Sequence, residues 1–455
     1  MTKRIYLIFL LTFIISVNLF GEKTKVACVG NSITYGSGIT NRENNSYPAQ
    51  LQQWLGIDYE VKNFGVSGAT MLKKGNNPYW ERPEYKSALN FQPDIVLIKL
   101  GTNDSKPQNW QYAMEYKKDY LEMINTFKEL DSNPQVVLII PVPVFIEERW
   151  GIRKHIVRDS VAMFVEEVIE ESSCEFIDLF TPMLPYERFF SDKIHPDAIG
   201  ASIMVEEIYK QFFIKKLISS KSKFNTATHP VPSPEYRGAS AGWGEGKDWY
   251  SQHEAINQIG KKRDVNLVFL GNSITQGWGG EDRQIWSAAP EIWKTRYKPR
   301  RAANFGISGD RTQHILWRIE NGNFDNIEPE LIIVTVGVNN FNANTAEEII
   351  NGIETIVKKL NTKLPKTKIL VLGPLPTGEF PTSKNRIKYN KIHNIMGYLK
   401  ADENIYYENI GSAFLLPDRS LNYKYLRKDN IHLSPEGYER WSDILEPYIQ
   451  FLLNE

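Results

Sequence analysis

Residues 25–34 read KVACVGNSIT, and residues 266–275 read NLVFLGNSIT. In both, a run of apolar residues ends in glycine and opens directly into Asn-Ser-Ile-Thr ahead of a helical stretch. A buried strand that runs straight into a helix is the opening unit of a parallel βαβ fold. Further strand-like runs follow at helix-sized intervals. They are DIVLIKLG (94–101), QVVLIIP (135–141) and CEFIDLF (174–180) in the first half, and LIIVTVG (331–337), KILVLGP (368–374) and NIYYENIG (404–411) in the second. Such nearly continuous apolar runs suit strands covered by helices on both faces. The spacing also predicts a helix over 344–360, where Ile349, Ile350, Ile353, Ile356, Val357 and Leu360 share one face and Thr345 with Glu348 has capping-box spacing. The predicted class is α/β, with an open, doubly wound parallel sheet in each half.

The repetition extends along most of the chain. Ser32 aligns with Ser273 at an offset of 241 residues, and the same offset carries NFGVSG (63–68) onto NFGISG (304–309). GTND (101–104) meets GVNN (337–340), and DKIHPDAIG (192–200) meets DNIHLSPEG (429–437), at offsets of 236 and 237. A repeat of about 200 residues is a duplicated domain and not a solenoid. A chain of 455 residues has room for two such domains. Between them, residues 219–246 are rich in Ser, Pro and Gly and poor in aliphatic side chains, the composition of a surface linker. At the start, Lys3 and Arg4 precede an apolar run from Ile5 to Phe20, which is the layout of a secretory signal peptide. The run falls short of the roughly 20 residues that span a bilayer comfortably, so no stable membrane insertion is expected. The expected division is therefore a leader at 1–21, a first domain at 22–218, the linker at 219–246 and a second domain at 247–455, in an exported protein.

Hydrophobic residues make up 42% of the chain and charged residues 24%, values that allow each half a core without metals or disulfides. Lys plus Arg and Asp plus Glu both total 54, so no net field draws the chain to phosphate backbones or anionic membranes, and nucleic acid is not an expected partner. An exported chain could pair its two cysteines. Cys28 and Cys174, however, each fall in a strand candidate and read as buried free thiols.

Four short blocks carry the candidate chemistry. A serine at a strand-to-helix turn stands at the carboxyl edge of the sheet, where open parallel sheets bind ligands. Its hydroxyl can act as a nucleophile and its amide, unpaired at a helix start, as a donor to negative charge; a plain helix-capping serine is the alternative. Gly68 and Gly309 end turns where backbone can approach a ligand closely. Asn103 and Asn339 follow the longest strands and read alone as turn formers, but beside the serine and glycine amides they complete a three-donor oxyanion hole. Asp192 with His195, and Asp429 with His432, supply from a single loop the base that a serine hydroxyl needs and the carboxylate that orients it. Asp-x-x-His is also half a metal site, yet no other His or Cys cluster accompanies it, so no metal is expected.

Other residues imitate parts of this set. Ser67 and Ser308 lack the Gly-x-Ser-x-Gly spacing of a nucleophile elbow and read as turn residues. His155, His229, His253, His314 and His393 have no Asp three residues before them and read as structural or surface histidines. Trp243, Trp249 and Tyr250 suit either a sugar cleft or core packing.

The four blocks, in one order in both halves, resemble the SGNH (GDSL-type) hydrolase superfamily. The first half is similar to the carbohydrate and sialate O-acetylesterase-like branch through GNSITYGSGI, YPAQLQQWLG, NFGVSGATML and KLGTNDSKPQNW. The second is similar to the platelet-activating-factor acetylhydrolase-like branch through DWYSQHEAI, GNSITQGW, NFGISGDRTQHILWRIENG and NTAEEIINGIETIV. The resemblance implies two tandem flavodoxin-like three-layer α/β/α domains, each around a five-stranded parallel sheet, working without metal or organic cofactor. It implies Ser32 and Ser273 as nucleophiles, His195 and His432 as bases, and Asp192 and Asp429 as orienting carboxylates. Ser32, Gly68 and Asn103, and likewise Ser273, Gly309 and Asn339, would form the oxyanion holes. Asn31 and Asn272 stand where the family more often has Asp, and GVNN replaces GTND in the second half. The expected function is removal of O-acetyl groups from acetylated carbohydrate, a polysaccharide or sialic acid. The alternatives are a lipid esterase or thioesterase, or one catalytic domain with the other acting as a carbohydrate-binding module.

Overall fold

The computed structural model describes residues 23–214, 225–235, 238–280, 283–399 and 403–455. The expected leader at 1–21, and residues 219–224 and 236–237 of the expected linker, lie outside the described residues. The first half forms β1 (Thr24–Gly30), β2 (Tyr59–Gly65), β3 (Ile95–Lys99), β4 (Gln135–Ile140), a two-stranded hairpin of β5 (Glu148–Arg149) and β6 (Ile152–Arg153), and β7 (Glu175–Asp178). The second half forms β8 (Leu267–Gly271), β9 (Ala302–Gly306), β10 (Leu331–Thr335), β11 (Lys368–Val371) and β12 (Ile405–Tyr407). Each half contains a five-stranded sheet, ordered β2-β1-β3-β4-β7 in the first and β9-β8-β10-β11-β12 in the second. All neighbouring strands within them run parallel. The two orders are the same, and both are flavodoxin-like, with the topological switch between the first and third strands of each half.

The strand interiors are buried on both faces, as their near-continuous apolar sequences require. Val26, Cys28, Leu97, Val137 and Ile139 face one helical layer of the first half, while Ala27, Val29, Val96, Ile98 and Leu138 face the other. In the second half Val268, Leu270, Ile332 and Val334 alternate in the same way with Leu267, Phe269, Leu331 and Ile333. Cys28 and Cys174 are buried and free. The helix expected over 344–360 spans Ala346–Lys363, with Thr345 and Glu348 closing the capping box.

The edge strands β2 and β9 complete the two sheets. β2 is partly exposed over Tyr59–Asn63, so it lacks the continuous apolar signature. β9, AANFG, begins with two alanines, which carry little intrinsic strand preference.

Described residues of the expected linker pack against the second sheet's helices. Asn225 Nδ2 donates to the Glu348 carbonyl at 3.0 Å, and Thr312 Oγ1 donates to the Ala227 carbonyl at 2.8 Å. Ala241 and Trp243 join the second half's core. The halves themselves meet through an Arg419–Glu206 ion pair at 2.6 Å, and through Glu347, which accepts from the Tyr209 hydroxyl at 3.0 Å and pairs with Lys391 at 3.4 Å. Ile387 of the second half packs into a core cluster of the first.

Candidate active sites

Ser32 and Ser273 follow β1 and β8, and each is the first residue of a one-turn helix. The cap itself is the preceding asparagine: Asn31 Oδ1 accepts from the Ile33 amide at 3.1 Å, and Asn272 Oδ1 from the Ile274 amide at 3.0 Å. Capping is thus done by asparagine, and the serine hydroxyls are left for other partners. Each serine turn lies against the neighbouring edge strand at a glycine. A Cβ on Gly65 would lie 2.1 Å from the Tyr35 amide nitrogen, and one on Gly306 would lie 2.3 Å from that of Gln276.

The partners come from the far end of each sheet. His195 Nε2 stands 2.8 Å from Ser32 Oγ, and its Nδ1 stands 2.7 Å from Asp192 Oδ2. His432 Nε2 stands 2.9 Å from Ser273 Oγ, with Nδ1 2.8 Å from Asp429 Oδ2. In each loop the residue after the aspartate, Lys193 or Asn430, takes a left-handed conformation with φ of 68° or 58°. The other oxygen of each aspartate accepts backbone amides: Ile194 at 2.9 Å and His195 at 2.6 Å in the first half, Ile431 at 3.0 Å and His432 at 2.8 Å in the second. Partial burial pushes both carboxyls up, but these amides and the imidazoles outweigh it and hold Asp192 and Asp429 below the usual carboxylate range. A carboxylate kept ionised in this way fixes the imidazole with Nδ1 donating, so that Nε2 is the acceptor facing the serine.

The candidate oxyanion donors lie on the loops beside each serine. Gly68 and Gly309 have φ of 80° and 83°, a region closed to most side chains. Among the described residues the amides of Ser32, Gly68, Ser273 and Gly309 donate to no protein acceptor. Asn103 Nδ2 donates one hydrogen to the Ala69 carbonyl at 3.2 Å, and Asn339 Nδ2 donates one to the Asp310 carbonyl at 2.9 Å. Each amide keeps a second N–H. In both halves the structure therefore brings serine, histidine and aspartate into one hydrogen-bonded chain, with the glycine and asparagine on adjoining loops.

The supports behind the two sites differ. In the first, Asp104 is fully buried and accepts from the amides of Leu72 at 2.8 Å and Met71 at 3.1 Å, holding the loop after Gly68. Burial pushes its carboxyl up to about 6 against the pull of those amides. In the second, Asn340 replaces it and accepts from the Thr312 amide at 3.1 Å. The charge has moved to Asp310, beside Gly309. It is fully buried, pairs with the equally buried Arg318 at 2.8 Å and accepts from Trp249 Nε1 at 2.6 Å. Asp104 and Asn340 stood in motifs visible from sequence; Arg318 and Asp310 were signalled only by the charged residues in GDRTQHILWR.

A cavity of about 300 Å³ opens over the second site, between Ser273, His432, Ser308, Trp286 and the turn Ala239–Gly242. Gln276 ties that turn to the site: its Nε2 donates to the Ala241 carbonyl at 2.8 Å, and its Oε1 accepts from Trp243 Nε1 at 2.7 Å and the Ser308 amide at 3.0 Å. Trp243 and Trp249 are thus buried supports, while Tyr250 is exposed. Of the other histidines, His253, His314 and His393 are buried away from either serine's hydrogen-bonded chain, and His155 and His229 are on the surface. The Ser67 hydroxyl pairs with that of Ser37 at 2.7 Å. Among the described residues no group of three or more His, Cys, Asp or Glu is placed to hold a metal ion, and no helix is long and apolar enough to cross a membrane.

A flavodoxin-like sheet bearing serine, glycine, asparagine and an Asp-x-x-His loop at its carboxyl edge, in that chain order, defines the SGNH class of fold and site. The chain belongs to the GDSL-like Lipase/Acylhydrolase family, whose model matches residues 28–203 and again 269–440. It is 42% identical over 205 residues to an acetylxylan esterase of Xylanibacter ruminicola, an alignment that covers 41% of this chain and 42% of that protein. It is 35% identical over 207 residues to platelet-activating factor acetylhydrolase IB subunit alpha2 of Gallus gallus, covering 46% of this chain and 86% of that protein. A crystal structure of a carbohydrate acetylesterase family member from Sinorhizobium meliloti aligns with a TM-score of 0.33 at 21% identity, over 41% of this chain and 95% of that one.

Proposed function

We propose that both halves are serine acetylesterases, removing O-acetyl groups from an acetylated carbohydrate outside the cytoplasm. The observation that carries the reading is the unbroken Ser–His–Asp hydrogen-bonded chain in each half. Serine Oγ attacks the acetyl carbonyl carbon as histidine Nε2 takes the hydroxyl proton. The oxyanion that forms is met by the serine amide, the glycine amide and the free asparagine N–H. Collapse breaks the ester bond, and histidine returns the proton to the departing sugar oxygen. Water, deprotonated by the same histidine, then releases acetate and restores the serine.

Export is supported by the leader-like residues 1–21, and carbohydrate by the 42% identity to an acetylxylan esterase. Similarity to the platelet-activating factor acetylhydrolase favours a second reading, in which one half takes an acetylated lipid. The test is acetate release from acetylated xylan, mannan, pectin and sialic acid, with hydrolysis of 4-nitrophenyl acetate and platelet-activating factor in parallel. Ser32→Ala and Ser273→Ala should each remove one half's contribution, and the double variant should lose about a thousandfold or more. A double variant that keeps its activity would overturn the assignment of both serines. Turnover of the lipid alone would replace the carbohydrate.

A further inference from the structure

Each candidate histidine stands beside an exposed tryptophan overlaid by an arginine, and the two tryptophans come from unrelated parts of the domain. In the first half the ring of Trp150 lies 6.0 Å from that of His195, centroid to centroid, and the Arg149 guanidinium lies 4.6 Å from the Trp150 ring. In the second, Trp286 lines the same cavity as Ser273 and His432, and the Arg427 guanidinium lies 4.7 Å from its ring. Trp150 is 59% exposed and Trp286 47%, although large aromatic side chains ordinarily bury most of their surface. Trp150 sits at the tip of the β5–β6 hairpin, whereas Trp286 sits on the loop that follows the Ser273 helix. Their positions are not related by the repeat, so common descent of the two domains does not account for the shared arrangement.

Both are held firmly. The β5–β6 hairpin is fastened to the Asn103 side of the first site, where Arg153 Nε donates to the Ser105 carbonyl at 2.7 Å. It is fastened to the His195 side as well, through a small apolar cluster that Ile152 and Ile194 share with Val144 and Val157. Its two-residue turn has φ of 53° at Trp150 and 77° at Gly151. Such turns favour Asn, Asp or Gly at the first position, and a bulky side chain there is held against its own preference. Strain of this kind persists where the surroundings enforce it, commonly at ligand sites. In the second half the Trp286 amide donates to the Gly242 carbonyl at 2.9 Å, and the Arg427 amide donates to the His432 carbonyl at 2.7 Å.

We infer that Trp150 and Trp286 are sugar-binding platforms, each stacking one pyranose ring of an O-acetylated glycan so that its ester reaches the adjacent serine. The negative face of an indole suits the C–H face of a pyranose, and its rigid ring loses little entropy on binding. The overlying guanidinium holds the indole and presents N–H donors to the sugar's oxygens. The inference rests on the proposed carbohydrate esterase reading and narrows it to substrates that offer a ring beside the ester.

The experiment uses the full chain with one site silenced at a time, Trp150→Ala in the Ser273→Ala protein and Trp286→Ala in the Ser32→Ala protein, with Trp→Phe at each position as the ring-retaining variant. The probes are acetylated xylo-oligosaccharides and 4-nitrophenyl acetate. The expected result is a rise of about tenfold in KM on the oligosaccharides, at least five times any loss of kcat/KM on 4-nitrophenyl acetate, with most of the affinity kept by phenylalanine. Equal losses on both probes, or an unchanged KM on the oligosaccharides, would overturn the platforms alone. If the unaltered protein hydrolyses 4-nitrophenyl acetate but releases no acetate from any glycan, the carbohydrate reading falls, and the platforms with it.

Discussion

Asp104 and Asn340 occupy matching positions yet solve the same problem with different chemistry. Both hold the backbone that follows a candidate oxyanion glycine, but the carboxylate of Asp104 accepts from two amides, and the amide of Asn340 accepts from one and donates elsewhere. Asp104→Asn is therefore not a neutral exchange, because the single amide oxygen leaves the Met71 or Leu72 N–H unpaired in a buried place. The expected cost is about 1–3 kcal/mol of stability. The cost should also depend on pH. Burial raises the folded-state value of Asp104 to about 6, above its ordinary 3.8, so the folded protein binds this proton more tightly than the unfolded chain does. That contribution is fully present below the ordinary value and is lost as pH rises through about 6. Urea unfolding at pH 5 and pH 7 should show a wider gap between wild type and variant at pH 5, by about 1.3 kcal/mol in all, because the slope of about 1.4 kcal/mol per pH unit acts only below about pH 6. A gap that narrows on acidification would contradict the buried, proton-binding carboxyl.

At the scale of single elements, the Gly309 loop depends on the helix Thr312–Glu320 through the Asp310–Arg318 pair. Arg318→Met leaves the Asp310 charge buried without its guanidinium, which should cost about 3–5 kcal/mol. Asp310→Asn in the same chain removes the stranded charge, and the double variant should recover part of that loss in chemical denaturation. It should not recover full activity at the second site, because the Asp310 carbonyl that positions Asn339 sits in the same loop. This pair was hard to read from sequence for a physical reason. The serine, glycine, asparagine and Asp-x-x-His residues recur in both halves and could be read against each other, whereas Asp310 and Arg318 stand opposite Ala69 and Asn77, in a stretch that forms a loop and not a helix in the first half. The same holds for Trp150 and Trp286, which lie outside the repeat, and for β2 and β9, whose short or half-exposed sequences carry no continuous apolar signal. The inner strands were legible because burial on both faces leaves little choice but Val, Ile, Leu and Phe.

For the whole molecule, the decisive question is where one domain stops and the next begins. Composition between 219 and 246 suits a linker, yet a Ser-, Pro- and Gly-rich stretch can still be fixed in place when its backbone groups find buried partners. Ala227 accepts from Thr312, and Ala241 and Trp243 bond to Gln276, whose other contact is the Ser308 amide at the rim of the second site. A fragment of residues 247–455 would lose these partners, leave Gln276 half-satisfied and remove the turn Ala239–Gly242 from the cavity wall. A fragment of residues 225–455 would keep them. Both expose the same surface toward the first half, including Ile387 and Glu347, so that exposure cancels in the comparison. The longer fragment should therefore be more stable in thermal unfolding and should hydrolyse 4-nitrophenyl acetate at least tenfold faster than the shorter one. Equal stability and activity would return residues 225–246 to the role of a connecting tether and leave the second site complete within residues 247–455.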